Sequence, residues 1–324
     1  MPELKKSAHC NFMINRVLLR IKIVQILYSY YKNGSKSIPL AEKELFHSIE
    51  RTYDLYFYLL QLSIEITRYA SSKIEGKRNK LRPTDEDLNP NTRFIDNIFV
   101  NQLEKNYQFD TYMSEKKMSW ADHSDLVKEL FDEVELSPFY FEYMNAEQND
   151  FAADKDIWRK IYKKIILQSQ YLDEIIENES VYWIDNIEVV VSFVIKTIKK
   201  FEISNGDEQE LMPMFKDEED AEFARKLLRS ALTKDATLRD IIDKNTQNWE
   251  LERIAFMDII IMEVALVELM EFPTIPVNVT LNEYIEIAKA YSTEKSAPFI
   301  NGVLDNIVGQ LKKENKLIKV VNFK

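Results

Sequence analysis

Arg16 and Arg20 stand four residues apart in NRVLLRIKIVQILYSYY, so on a helix their guanidinium groups project together. Such a pair can grip phosphate through forked N–H donors, or it can pair with carboxylates of neighbouring acidic helices. Lys22 points to nearly the opposite side, with Gln25 and Ser29. Val17, Ile21, Val24 and Tyr28 form one apolar stripe, and Leu19, Ile23, Ile26 and Tyr30 form another. A helix with two apolar stripes is buried on most sides, and only the strip of Arg16 and Arg20 is expected to reach solvent. Near the other end, FINGVLDN keeps a helical rhythm through Phe299, Val303, Ile307 and Leu311, so its Asn-Gly pair is no hairpin turn. Gly302 and Gly309 share one helix edge with Asn306 between them. A mid-helix glycine costs about 1 kcal/mol against alanine, which implies close approach of another backbone, a side chain or a ligand.

Catalytic chemistry finds little support. The lone Cys10 has no partner for an internal disulfide, and His9, His47 and His123 are far apart without metal-ligand spacing, so neither a metal nor a cofactor is expected. No phosphate-cradling glycine loop and no G-x-S-x-G elbow occurs. The 54 acidic residues make any chosen carboxylate pair unspecific.

A chain of 324 residues with 45% apolar and 30% charged composition holds a large core in one domain or two. No apolar run is long enough to span a bilayer and no secretion signal opens the chain, so no membrane association and a cytoplasmic location are expected. Net charge is −11, which repels a phosphate backbone unless cations gather locally. They do gather at both ends: Lys5, Lys6, Arg16, Arg20, Lys22, Lys32 and Lys36 at one, and Lys312, Lys313, Lys316, Lys319 and Lys324 at the other. Acid concentrates between them, as in DEEDAE.

The elements that must position these groups are helical throughout. A 3.6-residue apolar period predicts helices over 14–32, 40–75, 93–107, 121–134, 155–178, 184–202, 218–232, 236–244, 250–272, 281–291 and 297–315. FPTIPVNVT reads as an extended connector, after which Thr280 and Glu283 form a capping box. An internal echo also stands out. RKIYKKIILQSQYLDEII from Arg159 aligns without gaps on RKLLRSALTKDATLRDII from Arg225, and Trp183 then meets Trp249 at the same offset. This is either a repeated helical hairpin or the chance match of two amphipathic helices. Aromatic runs such as YDLYFYLL are expected to fill a core rather than stack bases.

Two stretches carry a family resemblance. NRVLLRIKIVQILYSY resembles the first helix of the transcription antitermination factor NusB family, with arginines leading to Gln25, two residues, then Tyr28. LNEYIEIAKAYSTEKSAPFINGVLDNI is closely similar to that family's C-terminal signature. AEFARKLLRSALTKDATLRDIID and ELERIAFMDIIIMEVALVELME resemble its central helices. The resemblance implies an all-α helical bundle of the NusB type with a large additional helical insertion. Residues 1–39 then hold the tail and first helix of the core, 40–214 the insertion, and 215–324 the rest of the core.

The implied function is non-enzymatic binding of boxA-type RNA of ribosomal operons, together with the small ribosomal protein NusE, within the transcription elongation complex. RNA contacts carried over from the family fall on Arg16, Arg20, Lys295, Ser296, Phe299 and Asn301, and partner contacts on Asp258 and Glu268. The arginine cluster is thinned, because Val17, Leu18 and Leu19 separate Arg16 from Arg20 where the family often carries consecutive arginines. The cation of Lys295 stands in a loop position that is often acidic or polar there. Weak RNA affinity of the isolated protein is expected, with NusE supplying much of the positive field. An alternative is a helical protein–protein adaptor with little or no direct RNA binding. RNA cytosine methyltransferases also carry a NusB-like domain, but no cofactor loop or catalytic cysteine motif follows here.

Overall fold

The computed structural model describes residues 15–147, 150–184, 186–215, 217–246, 255–317 and 319–320. Among them all regular structure is helical. In order these are α1 (Arg16–Lys32), α2 (Ile38–Arg78), α3 (Asp85–Leu88), α4 (Ile98–Glu104), α5 (Tyr107–Lys116), α6 (Ser124–Leu136), α7 (Pro138–Asn145) and α8 (Phe151–Lys164). Then come α9 (Gln170–Glu179), α10 (Ile187–Lys200), α11 (Glu218–Thr233), α12 (Asp235–Asn245), α13 (Phe256–Glu271), α14 (Val277–Tyr291) and α15 (Ser296–Lys313). The chain forms two compact units, one taking the residues up to Ile49 together with those from Phe215 onward, the other Glu50–Met214. The first division falls inside α2, ten residues beyond the 39/40 boundary read from sequence.

In the first unit, α13 is the axis. Eleven of its 16 residues are buried. It touches α1, α11, α12, α14 and α15, as a helix apolar on nearly every side must. α1 starts where the Asn15 side chain accepts from the Leu18 amide at 2.9 Å. It stops at Gly34, whose φ of +61° lets the Ser35 amide reach back to the Tyr30 carbonyl.

Three expectations for this unit need correction. Leu19, Ile23, Val24 and Ile26 of the two stripes are buried as expected, but Arg20 and Lys22 are buried with them, while Val17 and Tyr28 at the ends of one stripe lie partly exposed. α14 begins at Val277, after Pro276, so Thr280 lies inside the helix and forms no capping box with Glu283; its hydroxyl donates to Glu268 instead. A Cβ built at Gly302 or Gly309 would meet no described residue within 4 Å, so the close approach expected there does not come from the described part of the chain.

The second unit wraps its helices round the α2 stretch from Asp54 to Leu60, all of it buried. Carbonyls of Arg51, Tyr58 and Leu59 accept from Trp183, Trp120 and Tyr162 side chains, which ties the loops and α8 to this stretch. α5 and α7 were not anticipated, although Ser137 followed by Pro138 is a helix-start signal: the serine caps and the proline occupies the first turn. The helix expected over 155–178 breaks at Ile165–Ser169 into α8 and α9.

The echo has structural content. α8 and α9 break where α11 and α12 break, and Ile157, Trp158, Ile161, Tyr162, Leu172 and Ile176 are buried like Phe223, Ala224, Leu227, Leu228, Leu238 and Ile242 at the same offset. Asp154 and Asp220 also correspond, and both are buried. Each carboxylate meets the first residue of an Asn-capped helix in its own unit: Asp154 accepts from the Ile98 amide of α4 at 2.7 Å, and Asp220 from Arg16 Nε of α1 at 3.0 Å. Trp249 lies outside the described residues, as do His9, Cys10, Lys5, Lys6 and Lys324.

Candidate nucleic-acid interface

The residues expected to bind RNA or a partner gather at two stations on α13. At its start, Asp258 is buried and accepts from the hydroxyls of Ser292 and Ser296, the latter at 2.9 Å. Ser296 also pairs with Thr293 Oγ1 at 2.7 Å and receives the Thr293 amide at 3.2 Å. A carboxylate beneath the loop thus fixes the turn that launches α15. Above this base, Lys295 is exposed, while Phe299 and Asn301 are half-buried. The Asn301 amide makes no hydrogen bond among the described residues, so its donors and acceptor remain available.

The second station lies ten residues further along the helix, roughly 15 Å at 1.5 Å per residue. Here Glu268 is fully enclosed and receives Arg20 fork-to-fork, Nε to Oε2 at 2.8 Å and Nη2 to Oε1 at 2.9 Å. Thr280 and Tyr284 hydroxyls donate to the same carboxylate at 2.9 and 3.1 Å, and Glu283 approaches Arg20 at 3.5 Å. Burial alone would lower the Arg20 pKa, but the hydrogen bonds and charge of Glu268 outweigh it and leave the guanidinium firmly charged. Burial, with the Glu268 charge added, pushes the Tyr284 phenol well above its ordinary range. Arg16 stands one turn before Arg20. It pairs with Asp220 and places its guanidinium 5.0 Å from the Phe223 ring centroid, with 37% of its side chain exposed.

These positions correct the site read from sequence. Arg20 and Glu268 satisfy each other in the interior and Ser296 and Asp258 do likewise, so none of the four presents its polar atoms to a ligand. Arg16 and Arg20 are not gathered with Ser296 into one pocket. Among the expected RNA contacts, Arg16, Lys295, Phe299 and Asn301 retain exposed surface. Asp220, Phe223, Thr280, Tyr284, Ser292 and Thr293 went unnoticed as the groups that hold the candidates. Glu268, like Glu263, carried a legible signal, since both glutamates of IIIMEVALVEL have apolar neighbours on every side.

The basic C-terminus is also partly committed. Lys319 Nζ donates to the Glu268 and Phe272 carbonyls at 3.3 and 3.0 Å, and Lys226 Nζ donates to that of Glu271 at 3.1 Å. These cations satisfy the last carbonyls of α13, where the helix dipole is negative. Lys312 and Lys313, by contrast, are exposed in the final turn of α15. Among the described residues no cluster of His, Cys, Asp and Glu has the arrangement of a metal site, and no helix is long and apolar enough to cross a membrane.

The fold and this geometry define an all-helical bundle organised on a buried central helix, with a hydroxyl-locked loop holding one exposed cation at its surface. The NusB family model matches residues 191–309, starting within α10. The Salinibacter ruber transcription antitermination protein NusB is 36% identical over 132 residues, covering 39% of this chain and 82% of that protein. The Bacillus pumilus protein of the same name is 35% identical over 121 residues, 37% of this chain and 92% of that one. A solved structure of T. maritima NusB shares 25% identity, covers 49% of this chain and 97% of that one, and superposes with a TM-score of 0.29. The chain belongs to the NusB family.

Proposed function

We propose that the protein is a non-enzymatic transcription antitermination factor that binds boxA-type RNA together with NusE as part of the elongation complex. Membership of the NusB family carries this reading, because the relatives named above are transcription antitermination proteins. The locked 292–296 turn supports it: Lys295 offers a phosphate contact, with Phe299 and Asn301 beside it for a base. Arg16 is a second, more distant phosphate contact whose charge Asp220 partly offsets. With one arginine locked inside and the chain at net charge −11, the isolated protein binds RNA weakly and NusE adds the missing positive field. Titrating boxA RNA with and without NusE tests this; tighter binding with NusE is expected, and equal affinities defeat the division of labour.

A second reading is a protein–protein adaptor with little direct RNA contact, favoured by the ion-pairing of both arginines. Replacing Arg16 and Lys295 by Glu separates the two. RNA binding falls while NusE binding persists under the first reading, and RNA affinity is unchanged under the second.

A further inference from the structure

α12 is fastened to the central helix over one buried carboxylate. Glu263, in the middle of α13, is fully enclosed, and its Oε1 accepts from Arg239 Nε of α12 at 2.7 Å. The Arg239 guanidinium lies 4.8 Å from the ring centroid of Tyr31 on α1, with 38% of the side chain exposed. The cluster is incomplete. Glu263 Oε2, Arg239 Nη2 and Tyr31 Oη are each buried without a hydrogen-bond partner. The other buried ion pair on α13 among the described residues is better served: Glu268 receives two hydrogen bonds from Arg20 and one each from Thr280 and Tyr284. Against its burial an ionised Glu263 therefore has only the Arg239 hydrogen bond and the adjacent Tyr31 phenol.

The same helix offers Arg239 another partner. Asp235 precedes it by one turn, the spacing at which an acid and a base face each other on a helix. Tyr31 from α1 and Asp235 and Arg239 from α12 are the groups that act on Glu263. α11 turns Phe223, Leu227, Leu228 and Ala231 inward, with its one buried acid, Asp220, paired to Arg16. α15 faces inward with Ile300, Leu304, Ile307 and Leu311, and α14 brings Thr280 and Tyr284 to Glu268.

We propose that Glu263 is a proton-operated latch: neutral, it stays closed beneath α12, and ionised, it drives α12 off α13 to reach water while Asp235 takes over Arg239. Burial, only partly offset by Arg239, raises the Glu263 carboxyl to about 7, which sets the working range near neutrality. The closed value is raised above the ordinary one, so the closed state is fully favoured below the ordinary carboxylate range and loses that advantage as pH rises through about 7. Across the window, α12 opening grows about tenfold per pH unit, as release of one proton requires.

Amide hydrogen exchange on the full chain between pH 4.5 and 8, corrected for intrinsic rates, reads the latch. In the wild type, α12 protection is expected to fall with rising pH and level off above about 7, while α14 protection stays constant. Glu263→Gln, which carries no charge at any pH, keeps α12 protected throughout. A flat wild-type profile, or the same slope in Glu263→Gln, overturns the proposal. Should that variant fail to fold, the carboxyl carbon shift of Glu263 in the wild type decides together with the exchange profile: a midpoint that coincides with the fall in α12 protection upholds the latch, and one in the ordinary carboxylate range, or one without any fall in protection, removes it.

Discussion

Arg20 and Glu268, 248 residues apart in the chain, meet fork-to-fork in the interior with both oxygens of the carboxylate engaged. Thr280 and Tyr284 complete the shell, so four helical side chains from α1, α13 and α14 close on one point. One of the two arginines expected to contact RNA is thereby a structural pin. Arg20→Ala leaves Glu268 buried without a countercharge and is expected to destabilise the first unit by about 3–5 kcal/mol. A joint Arg20→Met, Glu268→Leu replacement recovers most of that loss, since no charge is then stranded. Urea unfolding of the wild type and the two variants measures the difference, and equal losses in the single and double variants would refute the pin.

Lys295 has the opposite character. Its side chain is exposed beside the turn anchored by Asp258, so Lys295→Glu leaves stability within about 0.5 kcal/mol. RNA affinity falls, and the slope of log affinity against log salt flattens by about 0.7, the value of one lost single-strand phosphate contact. An unchanged slope places the RNA elsewhere.

Gly302 and Gly309 lie on an exposed edge of α15 with open space where a side chain would stand. Gly302→Ala and Gly309→Ala are each expected to stabilise the protein by about 0.5–1 kcal/mol, because alanine loses less backbone freedom on forming helix. Thermal unfolding reads this as a rise in Tm.

In the second unit, Asp154 accepts from the Ile98 amide at 2.7 Å and from the Tyr143 hydroxyl at 2.6 Å. Asp154→Ala leaves the Ile98 amide without its acceptor and the Tyr143 hydroxyl with only the Arg93 carbonyl, 3.3 Å away, and is expected to cost about 2 kcal/mol. Loss of amide protection in α4 locates the damage, and α4 protection equal to wild type would show that the carboxylate caps nothing.

Periodicity alone was enough for an all-helical chain, and long elements such as α2, α10 and α11 read within a few residues of their true ends. The short α5 and α7 escaped because each spans few turns, too few for an apolar stripe to stand out. The C-terminal signature from Leu281 to Ile307 sufficed for the family, since its residue types follow one another in unbroken order.

What sequence by itself determined was therefore which segments are helices, which faces are apolar, and which family they belong to. Only tertiary structure decided the fate of the charges. A helical period locates an arginine on a face but is silent on what a helix arriving from far along the chain will set against that face. Arg20 finds Glu268 and is withdrawn, Arg16 finds Asp220 at the rim and stays half-exposed, and Lys295 forms no ion pair among the described residues and remains at the surface. Burial of a charge depends on a partner, and the partner is a property of the fold.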